Sequence, residues 1–381
     1  MALGVYVHIP FCAHRCDYCD FATWTDRGHL IDEYVDACVL DVERQMRATG
    51  VKATSVFFGG GTPSLIPAAG LARIVQSIDR DDGAEVTVEC NPDSVDPDLL
   101  ATYRVAGANR ISFGVQSMQP HVLAELGRTH DPAGVATAVQ WACEAGFEHI
   151  NLDLIYGTPC ESVADWRATL DGALALGPDH ISAYALTVEP GTPLGRDIAA
   201  GGRRAPDDDD QAEKYEISDA VLSTAGYEWY EISNWARPGG ECRHNLLYWE
   251  QGDYLAIGAA AHGHATGRRW WNLRTPERYI AAIRAGSSAE AADEHLDDRS
   301  RAEEALLLAV RTRGGIAITP ELAGPAAELV DEGLVEPDAD RIVLTRRGRL
   351  LASAVTVRLL SALDAAAPPV AQEVAVGRLD C

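Results

Sequence analysis

Three cysteines near the start of the chain carry the strongest chemical signal. Cys12, Cys16 and Cys19 form a Cys-x3-Cys-x2-Cys loop directly after a short apolar run. Three thiolates can bind three irons of a four-iron cube and leave the fourth iron open to a ligand that chelates through an amine and a carboxylate. A closed zinc site needs a fourth ligand, and His14 is poorly placed for that inside so tight a loop. The spacing therefore predicts a 4Fe-4S cluster with one open iron.

A glycine-rich turn and several polar residues are candidates for the rest of the site. Gly59-Gly-Gly-Thr-Pro63 offers close backbone approach to a ligand, and it lacks the Lys-Ser/Thr pair of a phosphate loop. Glu89, Gln116 and Asp153 lie at or near the ends of predicted strands, where barrel enzymes collect their ligand groups. Two alternatives stay open, because the glycines can simply connect a strand to a helix and Asp153 can be a structural carboxylate.

The elements that must position these residues alternate between strand and helix. Apolar runs predict six strands, at Val5–Ile9, Ser55–Phe58, Glu85–Glu89, Arg110–Gly114, His149–Ile155 and His180–Leu186. Helical spacing of apolar residues predicts helices at Leu30–Met46, Ala68–Ile78, Pro97–Ala106, Pro132–Ala145 and Val163–Leu176. This alternation predicts an α/β fold with a parallel sheet curled into a partial (β/α)6 barrel.

The chain divides into four predicted segments. Residues 1–190 form the barrel, 191–295 an extension, 296–365 a small α+β domain of winged-helix type, and 366–381 a flexible tail. Winged helices often hold DNA, but residues 300–360 contain eight Arg and no Lys against nine acidic residues. A basic DNA-facing stripe is therefore absent from the sequence.

Composition narrows the classes of function. Lys plus Arg is 32 and Asp plus Glu is 57, a net charge of −25 that disfavours nucleic acids and anionic lipid surfaces as partners. Nine cysteines without regular spacing do not resemble a secreted disulfide framework. No signal peptide and no run of 18 apolar residues is found, so we expect a cytoplasmic protein without a membrane span.

The cysteine loop resembles the signature of the radical S-adenosylmethionine (SAM) superfamily, including the aromatic Tyr18 before the third cysteine. In that superfamily the open iron holds the amino and carboxylate groups of SAM. The resemblance implies that Cys12, Cys16 and Cys19 bind the cluster and that SAM is a cofactor.

Five further segments resemble the oxygen-independent coproporphyrinogen oxidase family. They are Tyr6-Val-His-Ile-Pro-Phe-Cys12, Gly59-Gly-Gly-Thr-Pro-Ser64, Glu89-Cys-Asn-Pro92, Arg110-Ile-Ser-Phe-Gly-Val-Gln-Ser117 and Asn151-Leu-Asp-Leu-Ile-Tyr-Gly157. The family's architecture is a partial barrel with an added C-terminal domain. The resemblance implies one or two SAM sites lined by Tyr6, Tyr18, Gly60, Gly61, Thr62, Glu89, Gln116, Arg128 and Asp153.

Two departures point away from the oxidase and toward the family's heme chaperone branch. Only 11 residues precede Cys12, and Phe21 replaces the oxidase's fourth cysteine. Cys242-Arg-His-Asn-Leu-Leu-Tyr-Trp249 is similar to the His-Asn-x-x-Tyr-Trp signature of that branch, which implies heme binding and an acceptor protein. His244 is then the candidate axial ligand. The alternatives are a capped turn with a buried aromatic pair for the motif, and an oxidase or methyltransferase for the whole protein.

Reduction of the predicted cluster requires an electron donor, such as an acidic flavodoxin or ferredoxin. An acidic chain repels such a donor at long range, so we expect a locally basic docking contact at Arg15 or Arg27. For Arg15, the alternative is that its side chain simply bonds carbonyl oxygens of the cysteine loop.

Overall fold

The computed structural model describes residues 2–366, and its first half alternates strands with helices. Six parallel strands follow one another in the sheet and confirm the predicted α/β barrel type. They are β1 (Leu3–Ile9), β2 (Ala53–Gly60), β3 (Arg80–Cys90), β4 (Arg110–Gln116), β5 (His149–Tyr156) and β6 (His180–Ala185).

The helices of this half begin and end close to their predicted limits. They are α1 (Ile31–Thr49), α2 (Ala68–Ser77), α3 (Pro97–Ala106), α4 (Pro120–Glu125), α5 (Pro132–Glu144) and α6 (Val163–Ala175). Short 3-10 turns lie at Gly28–Leu30, Pro63–Leu65 and Pro92–Ser94. The short helix α4 was not predicted.

Residues 191–295 extend the same sheet at both edges. Beside β6 lie β8 (Asn234–Ala236) and then β7 (Glu228–Glu231), both antiparallel. Beside β1 lies the parallel β9 (Asp253–Ile257), followed by antiparallel β10 (His262–Ala265), β11 (Arg268–Asn272) and β12 (Glu290–His295). The helices of this segment are α7 (Pro193–Ala199), α8 (Asp208–Thr224), α9 (Arg243–Trp249) and α10 (Pro276–Arg284). The twelve strands form one open sheet, in the order β12-β11-β10-β9-β1-β2-β3-β4-β5-β6-β8-β7.

The chain divides into two compact units, Met1–Leu308 and Ala309–Cys381. The division therefore falls after residue 308, within α11 (Asp298–Ala309), whereas the sequence predicted a domain start at residue 296. The predicted extension 191–295 belongs to the first unit, because its strands join the barrel sheet.

The second unit is a small α+β structure, as predicted. A three-stranded antiparallel sheet has the order β13-β15-β14. Its elements are β13 (Ile316–Ala317), α12 (Ala323–Asp331), β14 (Val335–Asp338), β15 (Arg341–Leu344), α13 (Arg346–Leu350) and α14 (Ala352–Ala366). All but the first residue of the predicted tail 366–381 lies outside the described residues. Within residues 2–366, no helix combines the length and the apolar character that crossing a membrane requires.

Candidate functional site

The cysteine loop begins at the carboxyl end of β1 and is tied to its surroundings by backbone hydrogen bonds. Cys12 N–H donates to the carbonyl oxygen of Trp24 at 3.1 Å, and Cys19 N–H donates to that of Cys16 at 3.2 Å. Asp17 anchors the middle of the loop, because its carboxylate accepts from the Arg203 guanidinium at 2.7 Å. All three cysteines are half-buried, and none of the eight described cysteines forms a disulfide.

The glycine turn after β2 packs directly against this loop. Gly61 N–H donates to the carbonyl oxygen of Ile9 at 2.7 Å, and Thr62 N–H donates to that of Phe11 at 2.8 Å. A Cβ atom on Gly61 would lie 2.6 Å from the Phe11 oxygen and 3.1 Å from Cys12 Sγ. Gly60 has φ of 107°, a conformation that favours glycine. This turn therefore requires glycine to fit against the cysteine loop, which goes beyond a simple strand-to-helix connection.

A cavity of about 600 Å³ unites the cysteines with most of the residues named from the sequence. Besides Cys12, Cys16 and Cys19, it is lined by Tyr18, Gly60, Gly61, Thr62, Glu89, Gln116, Arg128 and Asp153. Glu89 and Gln116 come from the carboxyl ends of β3 and β4, as the predicted barrel requires, and Asp153 lies within β5. Tyr6 does not line this cavity but two neighbouring ones, and its hydroxyl is hydrogen-bonded to His8 Nδ1 at 3.1 Å.

Two donors point at the cysteine sulfurs. Thr62 Oγ1 lies 3.8 Å from Cys12 Sγ, and Arg128 Nη1 lies 3.6 Å from Cys16 Sγ. Arg128 also donates to Asn91 Oδ1 at 2.9 Å and to the Gly114 carbonyl oxygen at 2.6 Å. Burial raises the pKa of Cys12 and of Cys19, which disfavours their thiolate forms unless a positive charge lies beside them.

The residues present fit an iron–sulfur cluster. Among residues 2–366, no group of three His, Cys, Asp or Glu side chains is arranged to hold a single ion. A cube makes a different demand, since each cysteine binds its own iron and the three sulfurs need only face one space. The shared cavity, the glycine cradle beside Cys12 and the two donors to sulfur meet that demand.

The two acidic residues of the cavity have perturbed protonation. Burial raises the pKa of Glu89 to about 8, the negative charge of Asp153 adds to the rise, and the Gly60 N–H at 3.3 Å opposes it. Burial also raises the pKa of Asp153, against hydrogen bonds from Ser112 Oγ at 2.6 Å and Asn151 Nδ2 at 2.8 Å. Both Asp153 oxygens thus have partners within the protein, whereas Glu89 accepts a hydrogen bond on Oε2 alone among the described residues and can meet a cation through Oε1.

Gln116 ends β4 in a strained conformation. Its φ is 63°, in the left-handed region that a side chain rarely adopts, and the β4–β5 register shifts between Gly114 and Gln116. Such strain persists where surrounding structure enforces it, commonly at binding sites.

Sequence reasoning did not single out several other polar residues of this cavity. Tyr184 and Thr187 line it at and just after the end of β6, and Asn91 bridges Arg128 to the Thr62 hydroxyl, which accepts from Asn91 Nδ2 at 3.4 Å. The strand-end position that identified Glu89 and Gln116 would also have identified Tyr184, had the rule been applied to the sixth strand.

His244 lies in a different place from the cysteine cavity. It is fully buried on α9, with its ring stacked on Phe57 at a centroid distance of 5.4 Å. Nδ1 is hydrogen-bonded to Ser55 Oγ at 2.9 Å and Nε2 to Tyr248 Oη at 2.9 Å. Burial lowers the pKa of His244 to about 4, against the charge of Glu85. Because both ring nitrogens are engaged in hydrogen bonds, this structure does not present His244, the predicted axial ligand, to an iron.

The two arginines near the cysteine loop differ in their surroundings. Arg15 is exposed and donates to the Cys19 carbonyl oxygen at 3.2 Å. Arg27 forms ion pairs with Asp26 and Glu277. Of the two, Arg15 alone presents a cation that is not paired with a carboxylate among the described residues.

Comparisons with known proteins agree with the geometry. Residues 6–173 match the family model of the Radical SAM superfamily. The chain is 45% identical over 371 residues to "Heme chaperone HemW" of Mycobacterium tuberculosis (strain H37Rv), covering 94% of each chain. It is 32% identical over 369 residues to the protein of the same name from Bacillus subtilis, covering 92% of this chain and 97% of that one.

The solved structure of coproporphyrinogen III oxidase (HemN) from Escherichia coli superposes with a TM-score of 0.81 at 24% identity, covering 94% of this chain and 90% of the other. At that identity the superposition shows a shared fold.

Proposed function

The chain belongs to the HemW family of radical SAM proteins, and on that premise we propose that it is a heme chaperone, which binds heme and passes it to an acceptor protein. It carries a 4Fe-4S cluster and binds SAM. The observation that carries this proposal is the cavity that gathers three cysteines, the glycine turn and the strand-end polar residues beside one another.

Cys12, Cys16 and Cys19 hold the cluster in this proposal. The donors from Thr62 and Arg128 toward two of the sulfurs support it, since hydrogen bonds to sulfur tune a cluster's potential. When bound, the cluster supplies the electron for reductive cleavage of SAM.

SAM occupies the remainder of the cavity. The carboxylate of Glu89 faces its cationic groups, the backbone of Gly60 and Gly61 allows close approach, and Arg128 and Tyr18 line the wall. Gln116, Thr62 and Asp153 complete the lining.

Tyr6 faces an adjoining cavity of about 230 Å³, which Gly60, Glu89 and Asp153 also line. This cavity is the candidate site for a second molecule of SAM.

Coproporphyrinogen oxidation is the second candidate function, because this fold is shared with that oxidase. Phe21, in place of a fourth cysteine, counts against it. The Phe21 side chain is 63% exposed and lines the cysteine cavity, where the oxidase family has a thiol.

One experiment separates the two functions. The full chain is reconstituted with iron and sulfide without oxygen and divided into two portions. One portion is mixed with hemin and passed through a desalting column, and the other receives SAM, dithionite and coproporphyrinogen III. We expect heme to remain with the protein and no decarboxylated porphyrinogen to form. Decarboxylation without heme retention would assign the protein to the oxidase function instead.

An acidic electron donor of the flavodoxin or ferredoxin type docks beside the cysteine loop in this proposal. Arg15 is exposed within the loop and carries no carboxylate partner among the described residues, which supports it as the docking contact. Arg15→Glu should slow reduction of the cluster by such a donor several-fold at low salt, and the defect should shrink as salt rises. Arg47→Glu makes the same change of charge on exposed helix surface and should leave the rate near that of the parent. Equal stopped-flow rates for Arg15→Glu and the parent would place docking elsewhere.

A further inference from the structure

A second, larger cavity lies next to the cysteine loop and has no role in the site described above. Its volume is about 1110 Å³, at the upper end of the range for small-molecule sites. The strands β9, β10 and β11 and the helices α10 and α11 contribute to it. Asp20 and Phe21 line both this cavity and the cysteine cavity, so the two are neighbours across one stretch of chain.

Its walls are rich in aromatic and aliphatic side chains. Tyr254 packs edge-on against Tyr248 at a centroid distance of 4.6 Å, and Leu307 and Leu308 of α11 and Trp271 of β11 contribute further apolar surface. The Leu307 side chain is 45% exposed. A large, flat, apolar ligand would cover this surface.

Three histidines face this cavity, and they differ in which ring nitrogens are engaged. His8 has both nitrogens in hydrogen bonds, to Tyr6 Oη and to the Ala22 carbonyl oxygen. His264 is 6% exposed; its Nδ1 is hydrogen-bonded to the Gly252 carbonyl oxygen at 2.9 Å, and its Nε2 is buried without a partner in the described structure. Neither His8 nor His264 therefore presents to the cavity a ring nitrogen that a ligand can reach.

His262 is the histidine that an iron can reach. It is exposed to the cavity, its ring lies against Trp271 at 6.0 Å with an interplanar angle of 27°, and neither nitrogen has a hydrogen bond within residues 2–366. His264 Nε2 lacks comparable room, because that atom is covered by protein.

Two cations without carboxylate partners stand at the same cavity. Arg274 and Arg278 are exposed, line it, and form no ion pair among the residues that the structure describes. Arg269, by contrast, pairs with Glu294 at 2.7 Å and Glu304 at 2.6 Å. In a chain of net charge −25, two unpaired guanidinium groups beside an apolar cavity suit a ligand that carries carboxylates.

We propose that this cavity is the heme site, with His262 as an axial iron ligand and with Arg274 and Arg278 pairing with the propionates. This inference rests on the proposed heme-chaperone function and adds the location and ligand of the cargo. Heme supplies the three features that the cavity matches: a large apolar ring, an iron that binds imidazole, and two carboxylates.

In this arrangement the His-Asn-x-x-Tyr-Trp motif acts on heme through a neighbour. His244 Nε2 is hydrogen-bonded to Tyr248 Oη, and Tyr248 forms part of the cavity wall against Tyr254. His244 is therefore a positioning residue. Its loss should weaken heme binding but leave the iron coordinated by histidine.

The test is heme titration of the full chain, read by absorbance for affinity and by magnetic circular dichroism for the axial ligand. His262→Ala should bind heme at least tenfold more weakly and lose the signature of the parent's histidine ligand, and added imidazole should restore that signature. His295→Ala is the matched control, because His295 is an exposed histidine on the neighbouring strand β12 that does not line the cavity. It should behave like the parent.

The outcomes separate this inference from the function on which it rests. A parent protein that retains no heme would overturn the proposed function. A parent that binds heme through histidine, with His262→Ala unchanged in affinity and spectrum, would overturn the ligand assignment alone. Loss of the histidine signature in His264→Ala or His244→Ala, with His262→Ala retaining it, would likewise refute the assignment to His262.

Discussion

Glu89 should release a proton when SAM enters the cysteine cavity. Burial and the neighbouring charge of Asp153 raise the pKa of Glu89 to about 8. At pH 7 such an acid is about one-tenth ionised, by the definition of pKa. The sulfonium of SAM favours the ionised carboxylate, so binding draws the Glu89 pKa back down. Glu89 should therefore contribute about 0.9 proton released per SAM bound at pH 7.

The same shift predicts how affinity depends on pH. Below pH 8 the carboxyl must lose its proton before it attracts the cation, so binding tightens as pH rises and levels off above pH 8. Between pH 6.5 and pH 7.5 the Glu89 contribution amounts to about eightfold in affinity, or about 1.2 kcal/mol.

Isothermal titration calorimetry measures this release directly. Reconstituted protein is titrated with SAM at pH 7 in two buffers of different ionisation enthalpy, and the difference in heat gives the number of protons. The amine of SAM also loses a proton when it binds iron, so the decisive quantity is the difference between the parent and Glu89→Gln. That difference should be about 0.9 proton. Asp153→Asn should reduce the number of protons released by Glu89, because the charge of Asp153 contributes to the raised pKa of Glu89. Equal proton release from the parent and Glu89→Gln would refute the reasoning.

Three further outcomes follow from the structure. Cys16→Ser should lose the cluster, because a serine oxygen is a poorer ligand for iron than a thiolate, and full iron and sulfide content after reconstitution would contradict the assignment. Gly61→Ala places a Cβ 2.6 Å from a backbone oxygen of the cysteine loop, so it should lower the free energy of unfolding by about 1–3 kcal/mol and reduce cluster content. The control is Gly28→Ala, because a Cβ there meets open space, and it should change neither quantity. Thermal unfolding and iron analysis measure the two effects. Replacing Arg274 and Arg278 together by Ala should weaken heme binding about threefold to tenfold at low salt, with the defect shrinking as salt rises; a salt-independent titration would argue against propionate pairing.

The central elements were predictable because local signals agreed with the tertiary structure. Helix α3 has its predicted limits, since Asp96 caps its start by accepting from Leu99 N–H at 2.8 Å, Pro97 occupies its first turn, and Gly107 ends it with φ of 109°. The parallel strands were equally predictable, because continuous buried apolar runs are typical of strands in a parallel sheet.

The edge strands were not predictable, because tertiary contacts override their composition. Strand β12 is the exposed sequence Glu-Ala-Ala-Asp-Glu-His, which has few residues that favour strands. Its backbone pairs antiparallel with β11, and ion pairs of Arg268 with Glu290 and Asp293 and of Arg269 with Glu294 join the same two strands. These partners lie more than 20 residues apart, and no local pattern reveals such a pairing.

The family resemblance placed Tyr6 at the SAM site, but Tyr6 does not line the cysteine cavity. Tyr6 lies within β1, so its side chain follows the alternation of the strand and shares a face with His8. That face borders the larger cavity and not the cysteines. Resemblance identified Tyr6 as a binding residue, but only the register of β1 shows which space it faces.

The histidines show most plainly what spacing alone leaves open. A histidine can bind iron only if one ring nitrogen retains a free lone pair in an accessible space, and this depends on residues distant in the chain. His244 stands in a recognisable motif, yet Ser55, 189 positions earlier, and Tyr248 engage its two nitrogens. His262 stands in no recognised motif, yet the strand pairing of β10 with β11 brings its ring beside Trp271 with both nitrogens free of hydrogen bonds in the described structure. The motif therefore marks the neighbourhood of the heme cavity through Tyr248, while the pairing of the antiparallel strands β10 and β11 determines which imidazole faces the iron.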